Sequence, residues 1–365
     1  MTSHSPRLAA VLWSGSFGGA ETFTAELCRV LRVLGADARV LFVTSPEPLN
    51  TRLEASGVPF ATLGLRRGRE VVRHPRALAR ETTSLGPDGA IVVSPGYLAA
   101  ALRAGGYRGR VVAVAHDLIQ RSLMSRTRTL LKRVDRASGV WASDAEVAVS
   151  DFVLRRVQRD ARGGKRIVRI YNGVDLDVYS GAANGSATRT LDIGWAGRIV
   201  HGKGLETLIE ALPTVRRHVP VRLRIAGDGP LRSTLQGLAA KLGLGETISF
   251  EGWSSDMPSF WGSCALAAVP SHKWVESFGM AAVEAMACAR PVVASRAGAL
   301  PEIVEDGVSG RLVPPGDHKA LAAALIELAQ DADQRISAGA AGRARCEDRF
   351  DLRRTALAYL DLFRD

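Results

Sequence analysis

The chain has 365 residues, 46% of them apolar and 23% charged, a globular balance with enough apolar content for two cores of ordinary size. It carries 48 Lys and Arg against 37 Asp and Glu, and no apolar run approaches the roughly 18–20 residues that cross a bilayer, which excludes a disordered chain and a spanning helix. Four cysteines, Cys28, Cys264, Cys288 and Cys346, stand far apart with no Cys-x-x-Cys pair, so buried free thiols are expected, with neither disulfides nor a zinc site.

Leu8 to Trp13 is too short and abrupt for a signal peptide and reads as a first strand, so a cytoplasmic location is expected. Short apolar runs and helical periods then alternate: a helix from Ala20 to Leu34 and strands at Ala38–Val43, Gly89–Val93 and Arg110–Ala115, each bounded by Gly, Pro or polar turns. That rhythm predicts parallel sheets covered on both faces, with ligands at the carboxyl ends of the strands. A second series begins at Leu191–Ala196 and continues through Val221–Ala226, Ile248–Phe250, Ala265–Val269 and Pro291–Ala294. The aperiodic stretch of small residues from Tyr179 to Ala187 reads as a linker, and a last helix is expected over residues 348–365. Three segments follow: 1–178, 179–347 and 348–365.

Charge divides at the same place. Residues 1–178 hold 27 Lys and Arg against 16 Asp and Glu, while 179–365 hold 21 of each, so the first segment carries the whole excess of +11. An anionic substrate, an anionic membrane surface or nucleic acid would account for it. Few aromatics interleave with the arginines and no recognition motif appears, so nucleic acid is not expected. The stretch from Gln120 to Arg136 puts Leu123, Met124, Leu130, Leu131 and Val134 on one helical face, with Arg121, Arg126, Arg128, Lys132, Arg133 and Arg136 around it. Such a helix can lie on anionic lipid, and an arginine-rich composition with ordinary core contacts accounts for it equally well.

Candidate chemistry lies at four turns. Trp13 to Glu21 is a glycine-rich turn between a strand and a helix, and it fits neither Gly-x-Gly-x-x-Gly nor a Walker loop. His116-Asp117 follows the strand that ends at Ala115. After the strand ending at Ala196 comes Gly197-Arg198-Ile-Val-His-Gly-Lys203-Gly204, which puts two cations on one loop, where they could neutralise a departing diphosphate in place of a divalent metal. Lastly, Glu276-Ser-Phe-Gly-Met-Ala-Ala-Val-Glu284 sets two carboxylates around a helix start. Glu276 sits in the turn, and Glu284 lies about five residues into the helix, roughly 7–8 Å further along at about 1.5 Å per residue. The amides of Phe278, Gly279 and Met280 between them, with the positive end of the helix dipole, suit a diphosphate. Asp175-Leu-Asp177 has the form of a metal-binding Asp-x-Asp, but beside the linker it reads as turn chemistry.

The segment from Glu276 through Arg290-Pro-Val-Val and on to Gly298-Ala-Leu-Pro-Glu302, together with the Gly-Arg-x4-Lys-Gly loop, closely resembles glycosyltransferase family 4, the retaining transferases of GT-B fold. Weaker matches are Tyr171 to Asp175, Ala226 to Pro230 and Phe250 to Trp253. The family usually has Gly where this chain has Ala289, so a differently built helix exit is expected. The resemblance implies an α/β chain of two Rossmann-like domains facing each other across a cleft: an acceptor domain at 1–178, a nucleotide-sugar domain at 179–347 and a terminal helix crossing back to the first.

It also implies transfer of a hexose or N-acetylhexosamine from a nucleoside diphosphate, uridine first, to a hydroxyl acceptor. That acceptor could be lipid-linked, part of a cell-envelope glycan or a small secondary metabolite. The implied mechanism is a metal-free, front-face one, in which leaving phosphate oxygen helps take the acceptor proton. On this resemblance Glu276 meets sugar hydroxyls, Arg198 and Lys203 the diphosphate, Glu284 the ribose and His116 the donor sugar. Gly18 and Gly19 let the backbone approach donor phosphate or acceptor, and Phe278, Gly279 and Met280 cradle phosphate and sugar. A sugar-nucleotide epimerase of the same fold and a non-catalytic sugar-nucleotide sensor are the alternatives. Peripheral contact with the inner face of an anionic membrane, through the basic first segment, is a further expectation.

Overall fold

A computed structural model describes residues 5–16, 18–93, 96–116, 126–160, 166–180, 190–272 and 276–364; the side chains of residues 68–69, 126–133 and 160 also lie outside the description. The chain divides into two units, the first formed by Met1–Asn172 with Leu352–Asp365 and the second by Gly173–Asp351.

In the first unit the order is β1 (Arg7–Leu12), α1 (Gly19–Val33), β2 (Asp37–Phe42), α2 (Leu49–Ala55) and β3 (Phe60–Thr62). After a 3-10 segment (Gly68–Arg73) come α3 (Pro75–Leu85), β4 (Gly89–Val93), α4 (Gly96–Ala104), β5 (Arg110–Ala115), α5 (Arg126–Ala142), β6 (Ala145–Ala148), α6 (Asp151–Asp160) and β7 (Arg166–Arg169). All seven strands are parallel, in the order β3-β2-β1-β4-β5-β6-β7. Every residue of β4, Gly-Ala-Ile-Val-Val, is buried, as a parallel strand covered on both faces requires. Val11, Leu41, Leu78, Val92 and Leu102 anchor one core of this unit.

The second unit contains α7 (Leu176–Ser180), β8 (Leu191–Ala196), α8 (Leu205–His218), β9 (Val221–Ala226), α9 (Arg232–Lys241), β10 (Ile248–Gly252), α10 (Met257–Ser263) and β11 (Leu266–Val269). It continues through α11 (Met280–Ala287), β12 (Val292–Ser295), α12 (Leu300–Ile303), β13 (Gly310–Val313), α13 (His318–Gln330) and α14 (Ala332–Arg349). Its six parallel strands run β10-β9-β8-β11-β12-β13, the doubly wound order again, around a core that includes Ile193, Leu208, Leu212, Ile225 and Leu325. In each sheet the winding reverses beside the first strand, between β1 and β4 and between β8 and β11.

The last helix, α15 (Leu352–Arg364), belongs to the first unit, where it packs on α1 and Thr355 Oγ1 donates to the Tyr171 carbonyl over 2.9 Å. It starts at Leu352, later than the expected 348, because α14 runs on through Arg349. The break follows from Phe350, fully buried, whose carbonyl accepts the Val174 amide at 2.9 Å, and from Asp351, which bridges to Val174. The expected linker falls largely on residues 181–189, outside the described ones.

The helix exit at Ala289 differs from expectation. The chain leaves α11 through a left-handed residue, as a glycine would, and Ala289 supplies it at φ 55°, the one non-glycine with positive φ among the described residues. The Arg290 amide reaches the Ala285 carbonyl and the Ala289 amide reaches that of Met286, both at 2.9 Å, which is the Schellman arrangement. Close packing holds the alanine there, since a Cβ on Gly339 would lie 2.1 Å from the Ala289 carbonyl oxygen.

Of the basic stretch, residues 117–125, with Asp117, Arg121, Leu123 and Met124, lie outside the described residues, as do the side chains of Arg126, Arg128, Leu130, Leu131, Lys132 and Arg133. Arg136 is not a free surface cation: it pairs with Glu146 at 2.9 Å, with side-chain exposures of 16% and 6%.

Candidate functional site

In the second unit β8 and β11 are neighbours, Leu266 opposite Ile193 and Ala267 opposite Gly194, so the loops leaving their carboxyl ends emerge side by side. This is the switch point at which open α/β sheets bind ligands. The β8 loop carries Arg198 and Lys203. Glycine is required at its end: Gly204 sits at φ 74° as the residue before α8, and a Cβ there would lie 1.9 Å from the Pro270 carbonyl oxygen in the β11 loop. The His272 amide donates to the Gly202 carbonyl at 2.8 Å, a second tie between the two loops.

Those ties bring Lys203 and Glu276 together. Lys203 Nζ lies 2.6 Å from Glu276 Oε1, with side-chain exposures of 26% and 14%. The same oxygen accepts the Ser271 hydroxyl at 2.7 Å, and the Glu276 carbonyl accepts the Ala299 amide at 2.9 Å, so the carboxylate is held at both ends of its residue. Glu276 Oε2 has no hydrogen bond among the described residues. The Lys203 ammonium, with three donors, keeps two in reserve. Arg198 is exposed and makes no ion pair among the described residues.

Beyond Glu276 the chain turns into α11. Phe278 is buried, its ring edge-on to Phe350 with centroids 5.7 Å apart. Gly279 caps the helix at φ 116°, where a Cβ would meet Leu300 Cδ2 at 2.9 Å. Met280 and Ala281, the first helical residues, have amides that no carbonyl inside the helix can reach. Glu284 follows about one turn on, partly buried, and Trp261 Nε1 donates to its Oε2 at 3.2 Å.

Cys264 and Cys288 lie in the same region, and burial pushes both thiols up to about 12, so neither offers a thiolate at neutral pH. Among the described residues no group of three or more His, Cys, Asp or Glu side chains is placed to hold a metal ion. Asp175 and Asp177 make a local turn, the Asp177 amide donating to Asp175 Oδ1 at 3.1 Å.

In the first unit, Gly18 is the extended residue before α1 and Gly19 its first member. His116 follows β5 directly, partly buried, and its ring meets Phe23 of α1 edge-on at 6.2 Å. The strand ends thus bring His116 close to the start of α1, where the two glycines lie.

Sequence reasoning missed Ser271 and Trp261. Ser271 could have been singled out as the hydroxyl next to the proline that ends β11. Nothing in the sequence marks Trp261, fully buried in α10, as a partner of Glu284.

Comparison with known proteins covers both units. The family described as "Glycosyltransferase Family 4" matches residues 17–178, and that described as "Glycosyl transferases group 1" matches residues 182–345. A D-inositol 3-phosphate glycosyltransferase of Saccharomonospora viridis is 36% identical over 53% of this chain and 48% of its own length. A GDP-mannose-dependent alpha-(1-6)-phosphatidylinositol monomannoside mannosyltransferase of Mycolicibacterium smegmatis is 31% identical over 64% of each. The chain thus spans about half to just under two thirds of the length of these curated relatives. Among solved structures, the Anabaena protein HepE, crystallised with UDP and glucose, superposes with a TM-score of 0.81 at 24% identity over 98% of both chains, which shows the fold to be shared.

Proposed function

The chain belongs to glycosyltransferase family 4, and from that premise we propose that it transfers a hexosyl or N-acetylhexosaminyl group from a nucleoside diphosphate to a hydroxyl acceptor, retaining the anomeric configuration. The observation that carries the reading is the doubly held Glu276: Lys203 and Ser271 occupy one carboxylate oxygen and leave the other to accept sugar hydroxyls. Lys203, with two donors in reserve, and the exposed Arg198 supply fixed positive charge for a leaving diphosphate, and this supports a reaction without a metal. Glu284, oriented by the Trp261 indole, serves the ribose hydroxyls. The amides at Gly279, Met280 and Ala281 supply donors for phosphate. Gly18, Gly19 and His116 belong to the acceptor and sugar side of the reaction.

Uridine is the first base to test, on the likeness to HepE, and guanosine the second, because the Mycolicibacterium relative is named for GDP-mannose. Both curated relatives are named for inositol compounds, which supports beginning the acceptor panel with polyols and their phosphates. No helix among the described residues is long and apolar enough to cross a membrane. The excess charge of residues 1–178 supports attraction to anionic lipid, at whose surface a membrane-borne acceptor would be met. No observation favours an epimerase or a sensor.

The test is an assay of nucleoside diphosphate release from UDP- and GDP-sugars in chelator, across hydroxyl acceptors that include lipid-linked ones. Acceptor-dependent release is expected, and epimer formation without acceptor would refute the reading.

A further inference from the structure

A second cationic hollow lies in the first unit, at the amino ends of β5 and β6, the opposite edge of the sheet from His116 and α1's start. It has a volume of about 730 Å³ and is lined by Arg103, Arg108, Arg110, Trp141, Ala142, Ser143 and Asp144. It is a shallow hollow, open to solvent.

Its arginines have different tasks. Arg103 is part of the frame: it donates to the carbonyls of Tyr107, Gly109 and Ala142 and pairs with Asp144, whose carboxylate also accepts the Val111 amide at 2.7 Å. Asp144 Oδ2 is thereby taken by Arg103 and the Val111 amide, and the Ala142 carbonyl, at the negative end of α5, is already covered. Arg108 is exposed and has no ion pair among the described residues. Arg110 Nε is buried, and no acceptor among the described residues reaches it. Arg108 and Arg110, neither in an ion pair among the described residues, thus line one hollow together with the Arg103–Asp144 pair, leaving its lining net positive. Trp141 also lines the hollow and is 78% exposed.

We propose that this hollow binds a phosphorylated sugar or polyol, the phosphoryl group held by Arg108 and Arg110 and the ring lying on Trp141. Guanidinium forks match phosphate oxygens in geometry as well as charge, and an oxyanion between the two arginines relieves their repulsion and gives Arg110 an acceptor. An exposed indole offers an apolar face to the carbon-bound hydrogens of a sugar ring, which inorganic phosphate cannot use. The proposal uses residues of the first unit alone and is independent of the reading given to Lys203 and Glu276.

Isothermal titration of the full chain with a hexose 6-phosphate, inorganic phosphate and the unphosphorylated hexose tests this. Saturable binding is expected for the hexose phosphate, weaker binding for phosphate and none for the free sugar. Arg108→Ala and Arg110→Lys should each weaken hexose phosphate binding by roughly tenfold. Trp141→Ala should abolish its advantage over phosphate, and Lys203→Ala should leave hexose phosphate binding as it is. Arg108 and Trp141 are exposed, so their variants test binding without disturbing the fold. The proposal fails if the hexose phosphate does not saturate the protein, if Arg108→Ala and Trp141→Ala leave its affinity unchanged, or if Lys203→Ala abolishes it.

Discussion

Lys203 Nζ lies 2.6 Å from Glu276 Oε1, an ion pair between the loops that leave β8 and β11, at the point where the winding of the second sheet reverses. Seventy-three residues separate the partners, and the contact exists because Gly204 lets the first loop press against the Pro270 carbonyl of the second.

Removing either partner should cost turnover more than folding. On the proposed reading Lys203→Ala takes away a cation meant for the leaving group, and Glu276→Ala the carboxylate meant for the sugar; each should lower kcat by roughly 10²-fold or more, the scale for one donor matched to the transition state. Steady-state rates with the best donor check this, and near wild-type values for both variants would break the site assignment.

Glu284 should act through affinity. Trp261→Phe removes the indole N–H that orients the Glu284 carboxylate, and Glu284→Ala removes the carboxylate itself. A hydrogen bond to a charged group contributes about 1.5–3 kcal/mol, so the donor KM should rise by roughly tenfold or more with kcat little changed. A fall in kcat alone would place Glu284 at the reacting centre instead.

Two backbone positions should respond with opposite signs. Gly204→Ala forces a Cβ onto the Pro270 carbonyl at a left-handed φ and should destabilise the second unit by about 2–4 kcal/mol. Ala289→Gly relieves an alanine held at φ 55° and, after the entropy that glycine adds to the unfolded chain, should stabilise by about 0.5–1 kcal/mol. Urea midpoints measure both.

All four cysteines are buried, and burial pushes each thiol up to about 12. A thiol-specific reagent at pH 8 should label none in the native protein and four after unfolding. Because the folded values lie above the ordinary 9.0, the native state keeps protons that the unfolded chain releases. Their contribution to stability is therefore complete below about pH 9 and declines from there toward 12. Stability rising across that interval would contradict the burial of these groups.

β4 and β5 were legible as nearly unbroken apolar runs, and β8 and β9 as apolar residues recurring around Asp192, Arg222 and Arg224; all four begin and end where the sequence places them. The equally buried β6 escaped because Ala-Glu-Val-Ala is too short to stand out. β7, Arg-Ile-Val-Arg, was not legible either, because an edge strand with two apolar residues between arginines has too little signal. The short β3 and β13 escaped for the same reason. Of the proposed site, Arg198, Lys203, Glu276 and Glu284 were singled out from local motifs, but the other side chains they pack with were not. Ser271 and Trp261 join the site through tertiary packing, which no local period encodes. Ala289 shows the converse: its residue type argued against a left-handed exit, and the packing around Gly339 and the capping hydrogen bonds hold it there.

The most direct test of the central claim is calorimetric titration of UDP, GDP, ADP and TDP, in chelator, into the wild-type chain and Lys203→Ala. The account predicts saturable binding of at least one nucleoside diphosphate without metal, weakened at least tenfold by the substitution. Absence of binding for all four at millimolar concentration, or binding indifferent to Lys203, would contradict a donor site built on the β8 and β11 loops.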